Sequence, residues 1–387
     1  MSGVTATDER MLGGLSAEGW DRLAGRNFYS SAGWLSYCET EYGGETGAVV
    51  VDRGGEPACA VPFAEVGDRL LWTYRWQDVL TAHGLPAPPP RGILVGPREG
   101  YQTHVLSPPG PAPTTAELEQ LVAQLRELQT KGGDPAEQRG CVAMYVTTPD
   151  ALALQRAGAP ATPVLLFADA WVEVPEGGWA AWEASLSSHR RSNMHRDVRR
   201  FGAAGYHVEH LPLAECWDRL GEMAAASQAK YGHDADPEEE RRALHHHVTC
   251  MGDAARVAVC RIGDGELTGF CLYYVWADTV FIRWSGFDYD RLVGASEYFN
   301  LVLYAQLELV SSLGLRWVHA APGSTETKAL RGAELRPLWL VDLAEDSVLA
   351  GASTEIRRHN ARGYELLKAD RQTAGAIADP EEWEVFL

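Results

Sequence analysis

The stretch from Ala255 to Phe299 decides the fold: ARVAVCRI (255–262), LTGFCLYYVW (267–276), TVFIRWSGF (279–287) and then DYDRLVGASEYF (288–299). The first three segments are rich in β-branched and aromatic residues. Turn signals at Gly263-Asp264-Gly265 and Ala277-Asp278 separate them, which predicts three successive antiparallel strands. The fourth opens a run from Ser296 to Leu313 that is apolar almost all round, the pattern of a helix buried against a sheet. LRWVHAA (315–321) follows as a further strand. No G-x-G-x-x-G follows a strand anywhere, so a dinucleotide-binding alternation is excluded.

Working outward, DAWVEVP (169–175) and YHVEHL (206–211) read as strands flanking a basic helix from about Trp179 to Ala204. Helices are predicted from Ala214 and through the Glu-rich region near Pro237. The first half of the chain offers helices over 14–25 and 30–43 and a hairpin over 48–66 around Gly54-Gly55. An irregular stretch holding Pro88-Pro89-Pro90 comes next, then a helix over 114–132 with Leu118, Leu121, Leu125 and Leu128 on one side, then the strand CVAMYVT (141–147). An Ala/Pro/Gly-rich segment at 157–163 marks a boundary, giving expected domains 1–162 and 163–387. Each half mixes antiparallel strands with helices, an α/β (α+β) class of mixed, largely antiparallel sheets flanked by helices.

With 387 residues, 45% of them hydrophobic and 22% charged, the chain is long enough for two cores and too apolar to be disordered. The net charge of −19 repels a polyanion at long range and excludes a general nucleic-acid coat protein. No apolar run reaches the ~20 residues of a membrane helix, and MSGVTATDER lacks the basic and apolar regions of a secretory leader, so a cytoplasmic protein without membrane insertion is expected. Cys38, Cys59, Cys141, Cys216, Cys250, Cys260 and Cys271 are scattered and never paired as C-x-x-C, which predicts buried reduced thiols.

Against that acidity, His189 to Arg200 carries five arginines and the single Asp197, a local +4 where the rest of the chain is −23. Met194, Val198 and Phe201 are spaced to face the core. That leaves His189, Asn193, Arg196 and Arg200 along one side and Arg191, His195 and Arg199 along another, a face that either holds phosphates, with Arg190, or is merely solvated. In DYDRLVGASEYF, Arg291, Gly294 and Ser296 match R-x-x-G-x-[small], a loop whose N–H groups and helix N-terminus suit pyrophosphate; a plain helix start is the competing reading. The strand–strand–loop–helix context resembles the place where the GNAT acyltransferase superfamily holds its donor's pyrophosphate. In GSTETKALRGAELRPLW (323–339), a short helix puts Lys328 and Arg331 on one face with Glu334 a turn on, either two cations for an oxyanion or a solvated turn. Arg283 joins them from the adjacent strand TVFIRWSGF. For an acceptor, Tyr74, Trp76 and Asp78 in WTYRWQD suit a cleft wall or the core, and Tyr231 and His233 sit in a polar loop where a histidine is placed to take a proton. His245-His246-His247 with Cys250 lacks the spacing of a zinc site, and no metal is expected.

LSSHRRSNMHRDVRRFGAAGY (186–206), KYGHDAD (230–236), GSTETKALRG (323–332) and FYSSAGWLSYCE (28–39) together resemble the Fem-like double-GNAT proteins, including the peptidoglycan biosynthesis or recognition acyltransferases, over about residues 15–345. The resemblance implies two tandem GNAT-like domains, the second carrying an acyl-transfer cleft. It implies no resident cofactor: the donor is an aminoacyl-tRNA gripped at its acceptor-stem end, or acyl-CoA in other branches. The acceptor is an amine of a small molecule or cell-wall precursor, and Lys328 takes the place of the family's lysine beside the reacting ester. A noncatalytic GNAT-like protein that binds a glycan or peptide is the alternative. The sequence lacks the inserted coiled-coil arm of some Fem proteins.

Overall fold

The computed structural model describes residues 12–66, 70–131, 138–230, 232–263, 265 and 267–387. The acceptor candidate Tyr231, the turn residue Asp264 and residues 1–11 lie outside them. The strands are β1 (Thr46–Arg53), β2 (Glu56–Glu65), β3 (Gly92–Val95), β4 (Gly140–Val146) and β5 (Val164–Glu173). They continue with β6 (Tyr206–Pro212), β7 (Arg256–Ile262), β8 (Leu267–Trp276), β9 (Thr279–Phe287), β10 (Trp317–His319) and β11 (Glu334–Asp342).

The chain forms two compact units: the first joins the described residues up to Asp169 with Leu335–Leu387, and the second is Ala170–Glu334. This differs from the expected domains 1–162 and 163–387, and the cause is long-range pairing. β11 lies antiparallel to β4, with Val341 opposite Ala143. Fully buried Asn360, on the helix Ser353–Ala369, accepts from the Leu165 N–H at 2.8 Å and donates to the carbonyls of Pro163 (2.9 Å) and Phe386 (2.8 Å). No local pattern announces either contact.

In the first unit β1, β2 and β3 run antiparallel in turn, and β3 then lies parallel to β4. A parallel pair needs a crossover. The helix Thr115–Lys131 supplies it, burying Leu118, Leu121, Val122 and Leu125. In the second unit β7 to β9 form the expected antiparallel meander, β6 adds to it antiparallel to β7, β9 lies parallel to β10, and β10 pairs antiparallel with the end of β5. Its crossover is the helical run 297–313, which contains a π-helical turn over Phe299–Tyr304 before the α-helix Ala305–Leu313.

Two expected helices are broken. The basic helix divides into Gly178–Ser185 and Ser188–Ala203, because Leu186 turns to extended backbone and Ser187 caps the second piece by accepting from the Arg190 N–H. The helix after Gly323 spans only Thr325–Ala329, so Glu334 opens β11 instead of following Arg331 by a turn. All seven cysteines are buried and unbridged. His247 is buried, bonded to the Tyr274 hydroxyl at 2.7 Å, with its pKa pushed down to about 3 by that burial; His245 turns instead onto the Trp217 ring. Among the described residues no helix is long and apolar enough to cross a membrane, and no cluster of histidine, cysteine or carboxylate side chains could hold a metal ion.

Candidate functional site

The site is organised by a carboxylate. On the helix Ser188–Ala203 the buried residues are Met194, Asp197 and Phe201, while Val198, expected in the core, is 37% exposed. Asp197 replaces it because its charge is met from three sides. Its Oδ1 accepts from Ser296 Oγ at 3.0 Å, and its Oδ2 accepts from Arg331 Nη2 at 2.8 Å and from the Tyr304 hydroxyl at 3.2 Å. The Asp197 carbonyl accepts from Asn300 Nδ2 at 3.3 Å. One buried group thereby joins the basic helix, the 291–296 loop, the π-helical turn and the segment after β10. The turn is where Asn300 and Tyr304 reach in, a use to which π-bulges are often put.

Arg331 is consequently not the second free cation that the sequence suggests. Its guanidinium is 11% exposed, is paired with Asp197, donates from Nε to the Tyr304 hydroxyl at 3.3 Å and lies 3.6 Å above the Phe299 ring. Burial pushes the Tyr304 hydroxyl up to about 12, keeping it a neutral donor. A buried pair of this kind makes little net stability, yet losing one partner costs about 3–5 kcal/mol.

Lys328, 8% exposed, lies on the short helix and curls back: its ammonium donates to the carbonyls of Ala321 at 2.8 Å and Pro322 at 3.0 Å. The loop it closes holds Ala321 (φ 61°) and Ser324 (φ 49°) in left-handed backbone, a conformation costing roughly 1–3 kcal/mol per residue unless the surroundings enforce it. The lysine thus fixes a positive charge just beyond β10. Arg283 sits half-buried on β9, within the same unit.

The 291–296 loop has the expected shape and an unexpected occupant. Gly294 (φ 74°) and Ser296 (φ 64°) turn the backbone into the helical run. Glu297, 5% exposed, accepts the Val293 N–H at 3.0 Å. Burial raises its pKa, but the surrounding backbone N–H groups and the Tyr206 hydroxyl outweigh it and hold the carboxyl below the ordinary range. Arg291 is exposed and pairs with Asp288 at 3.1 Å.

On the basic helix Arg196, Arg199 and Arg200 are exposed and Arg190 is half-buried. Arg200 donates to the Gly294 carbonyl at 2.8 Å, tying this face to the loop. Arg191 leaves the expected donor face: its Nη2 donates to the Leu186 carbonyl at 2.9 Å and to that of Ala184 at 3.4 Å, at the end of the preceding helix.

The acceptor expectation is corrected for two residues. Tyr74 is fully buried, accepts from the Tyr101 N–H at 2.9 Å and packs on Tyr145; Trp76, 1% exposed, donates to the Pro89 carbonyl at 2.9 Å. Both are core of the first unit, leaving no ring face for a ligand. Asp78 and His233 are exposed. Asp197, Tyr304, Asn300 and Glu297 were missed as site residues. The one signal was Asp197, the lone acid among five arginines.

No family model matches this chain, and no curated protein matches it. Solved structures do. FemX is similar at 9% identity over 88% of this chain and 98% of its own, with a TM-score of 0.57. L-PGS from Bacillus licheniformis is similar at 11% identity over 84% and 95%, with a TM-score of 0.51. The C-terminal domain (DUF2156) assigned to a lysylphosphatidylglycerol synthetase from Agrobacterium fabrum is similar at 14% identity over 88% and 96%, with a TM-score of 0.50. At such identities the likeness is one of fold, a two-domain GNAT-like fold of mixed, largely antiparallel sheets flanked by helices.

Proposed function

We propose that this protein is a Fem-like GNAT transferase that forms an amide bond, moving an aminoacyl group from aminoacyl-tRNA to an amine of a small molecule or cell-wall precursor. The observation that carries the reading is the arginine face Arg196, Arg199 and Arg200, locked through buried Asp197 to the segment that bears Lys328. On a chain of net charge −19, such a face is suited to the phosphates of an acceptor stem, with Arg190 and Arg291 at its margins. The likeness to FemX, and to a domain assigned to a lysylphosphatidylglycerol synthetase, supports an aminoacyl cargo.

The chemistry needs positioning more than covalent help. The neutral amine attacks the ester carbonyl, a C–N bond forms, the C–O bond to the ribose breaks, and the amine proton passes to the departing ribose oxygen through a substrate or solvent relay. The fixed charge of Lys328 stabilises the carbonyl oxygen as it becomes an anion, with Arg283 assisting from β9. Arg331 acts through Asp197, as a positioning residue.

Radiolabelled aminoacyl-tRNA incubated with the protein and a panel of primary amines tests this. Transfer of label to an alkali-stable amide with at least one amine is expected; an ester that stays intact with every amine would overturn the reading.

A further inference from the structure

We propose that Glu297 is a built-in anion that fills the pyrophosphate position of the 291–296 loop and so bars donors carried on a pyrophosphate, such as acyl-CoA. The inference deepens the reading above, on which it rests for the identity of the transferred group, but the binding it invokes belongs to the loop alone.

The loop has the geometry that draws anions. Left-handed Gly294 and Ser296 turn the backbone into the helical run 297–313, which begins there with its positive end. The carboxylate is seated on it: the Val293 N–H donates to Glu297 Oε1 at 3.0 Å and also approaches the Tyr206 hydroxyl at 3.4 Å. The carboxylate is 5% exposed, so it is a seated ligand of the loop and not a rim residue. A pyrophosphate approaching the loop meets a like charge and competes with it for the Val293 N–H.

The cations nearby agree. Arg291, the residue the sequence pattern offers to pyrophosphate, is paired with Asp288, and Arg200 is bonded to the Gly294 carbonyl from outside the loop. Donor phosphates are therefore left to the exposed side chains of the basic helix, an arrangement that suits a polynucleotide backbone better than a single pyrophosphate.

Titration calorimetry with CoA and with inorganic pyrophosphate, on wild type, E297A and E297S, tests the inference. No saturable binding is expected in wild type, while E297A, with the like charge removed and the Val293 N–H released, should bind pyrophosphate about ten-fold more tightly or better. E297S keeps a short acceptor at the helix start and serves if the alanine variant fails to fold. A folded E297A or E297S with no gain, or saturable binding of either probe by wild type, would overturn the inference. Aminoacyl-tRNA discharge is assayed in parallel; its absence counts against the parent reading and leaves the calorimetric result for Glu297 intact.

Discussion

In the first unit the helix Thr115–Lys131 carries the chain from β3 to the parallel β4; in the second, residues 297–313 carry it from β9 to the parallel β10. Both crossovers begin at a carboxylate. In the first it is Glu117, which accepts from the Thr114 N–H at 2.7 Å in a reciprocal capping box and is clasped by Arg53 at 2.7 and 2.6 Å. In the second it is Glu297, sealed under backbone. The first helix is regular over an apolar face. The second breaks into a π turn and buries Asn300, Tyr304 and Gln306. Identical connectivity has thus been finished once for stability and once with buried polar groups, of which Asn300 and Tyr304 converge on Asp197. Such polar burial costs stability unless every group is satisfied, so it marks where the fold carries its chemistry.

The largest expected contrast is in stability. D197A should lose about 3–5 kcal/mol in denaturant titration, because Arg331 is left buried without its counter-charge. Removing the surface pair of the other crossover with R53A should shift the thermal midpoint by no more than about 2 °C. Equal losses would erase the distinction between the two. D197L/R331M, which removes both charges, should recover most of the loss.

Next in size is chemistry. K328A should lower the rate of amide formation about 10²-fold or more in single-turnover assays. A smaller effect follows from the basic helix: R196A/R199A should weaken tRNA binding and flatten its salt dependence, by about 0.7–0.9 in the slope of log K against log salt for each phosphate no longer neutralised. Binding isotherms at several salt concentrations measure it.

The smallest effect is a pH dependence. The folded carboxyl of Glu297 lies below its ordinary value of 4.5, so its contribution to stability is complete above that value and is lost as the pH falls through the folded value. The thermal-midpoint gap between wild type and E297Q should therefore close on acidification below about pH 4.5. A gap that widens there would contradict the hydrogen bonds assigned to Glu297.

Much of this was legible in the sequence, and the misses share a cause. The meander β7 to β9, the crossover helix with Leu118, Leu121 and Leu125, and the buried cysteines follow from local pattern. Periodicity places charged residues outward, so Asp197 was passed over in favour of Val198; its partner Arg331 is 134 residues away. The return of Leu335–Leu387 to the first unit likewise depends on β11 finding β4. Tyr74 and Trp76 carry polar tips that suit a cleft, and those tips are satisfied inside the core by the Tyr101 N–H and the Pro89 carbonyl.

The most direct test of the central claim, that the arginine face grips the carrier while Lys328 acts on its ester, is single-turnover amide formation against enzyme concentration for wild type, K328A and R196A/R199A. The account predicts that K328A keeps the half-saturating concentration and loses the limiting rate, whereas the double arginine variant keeps the limiting rate and needs more enzyme to reach it. Unchanged behaviour in both variants, with labelled aminoacyl-tRNA still consumed, would contradict it.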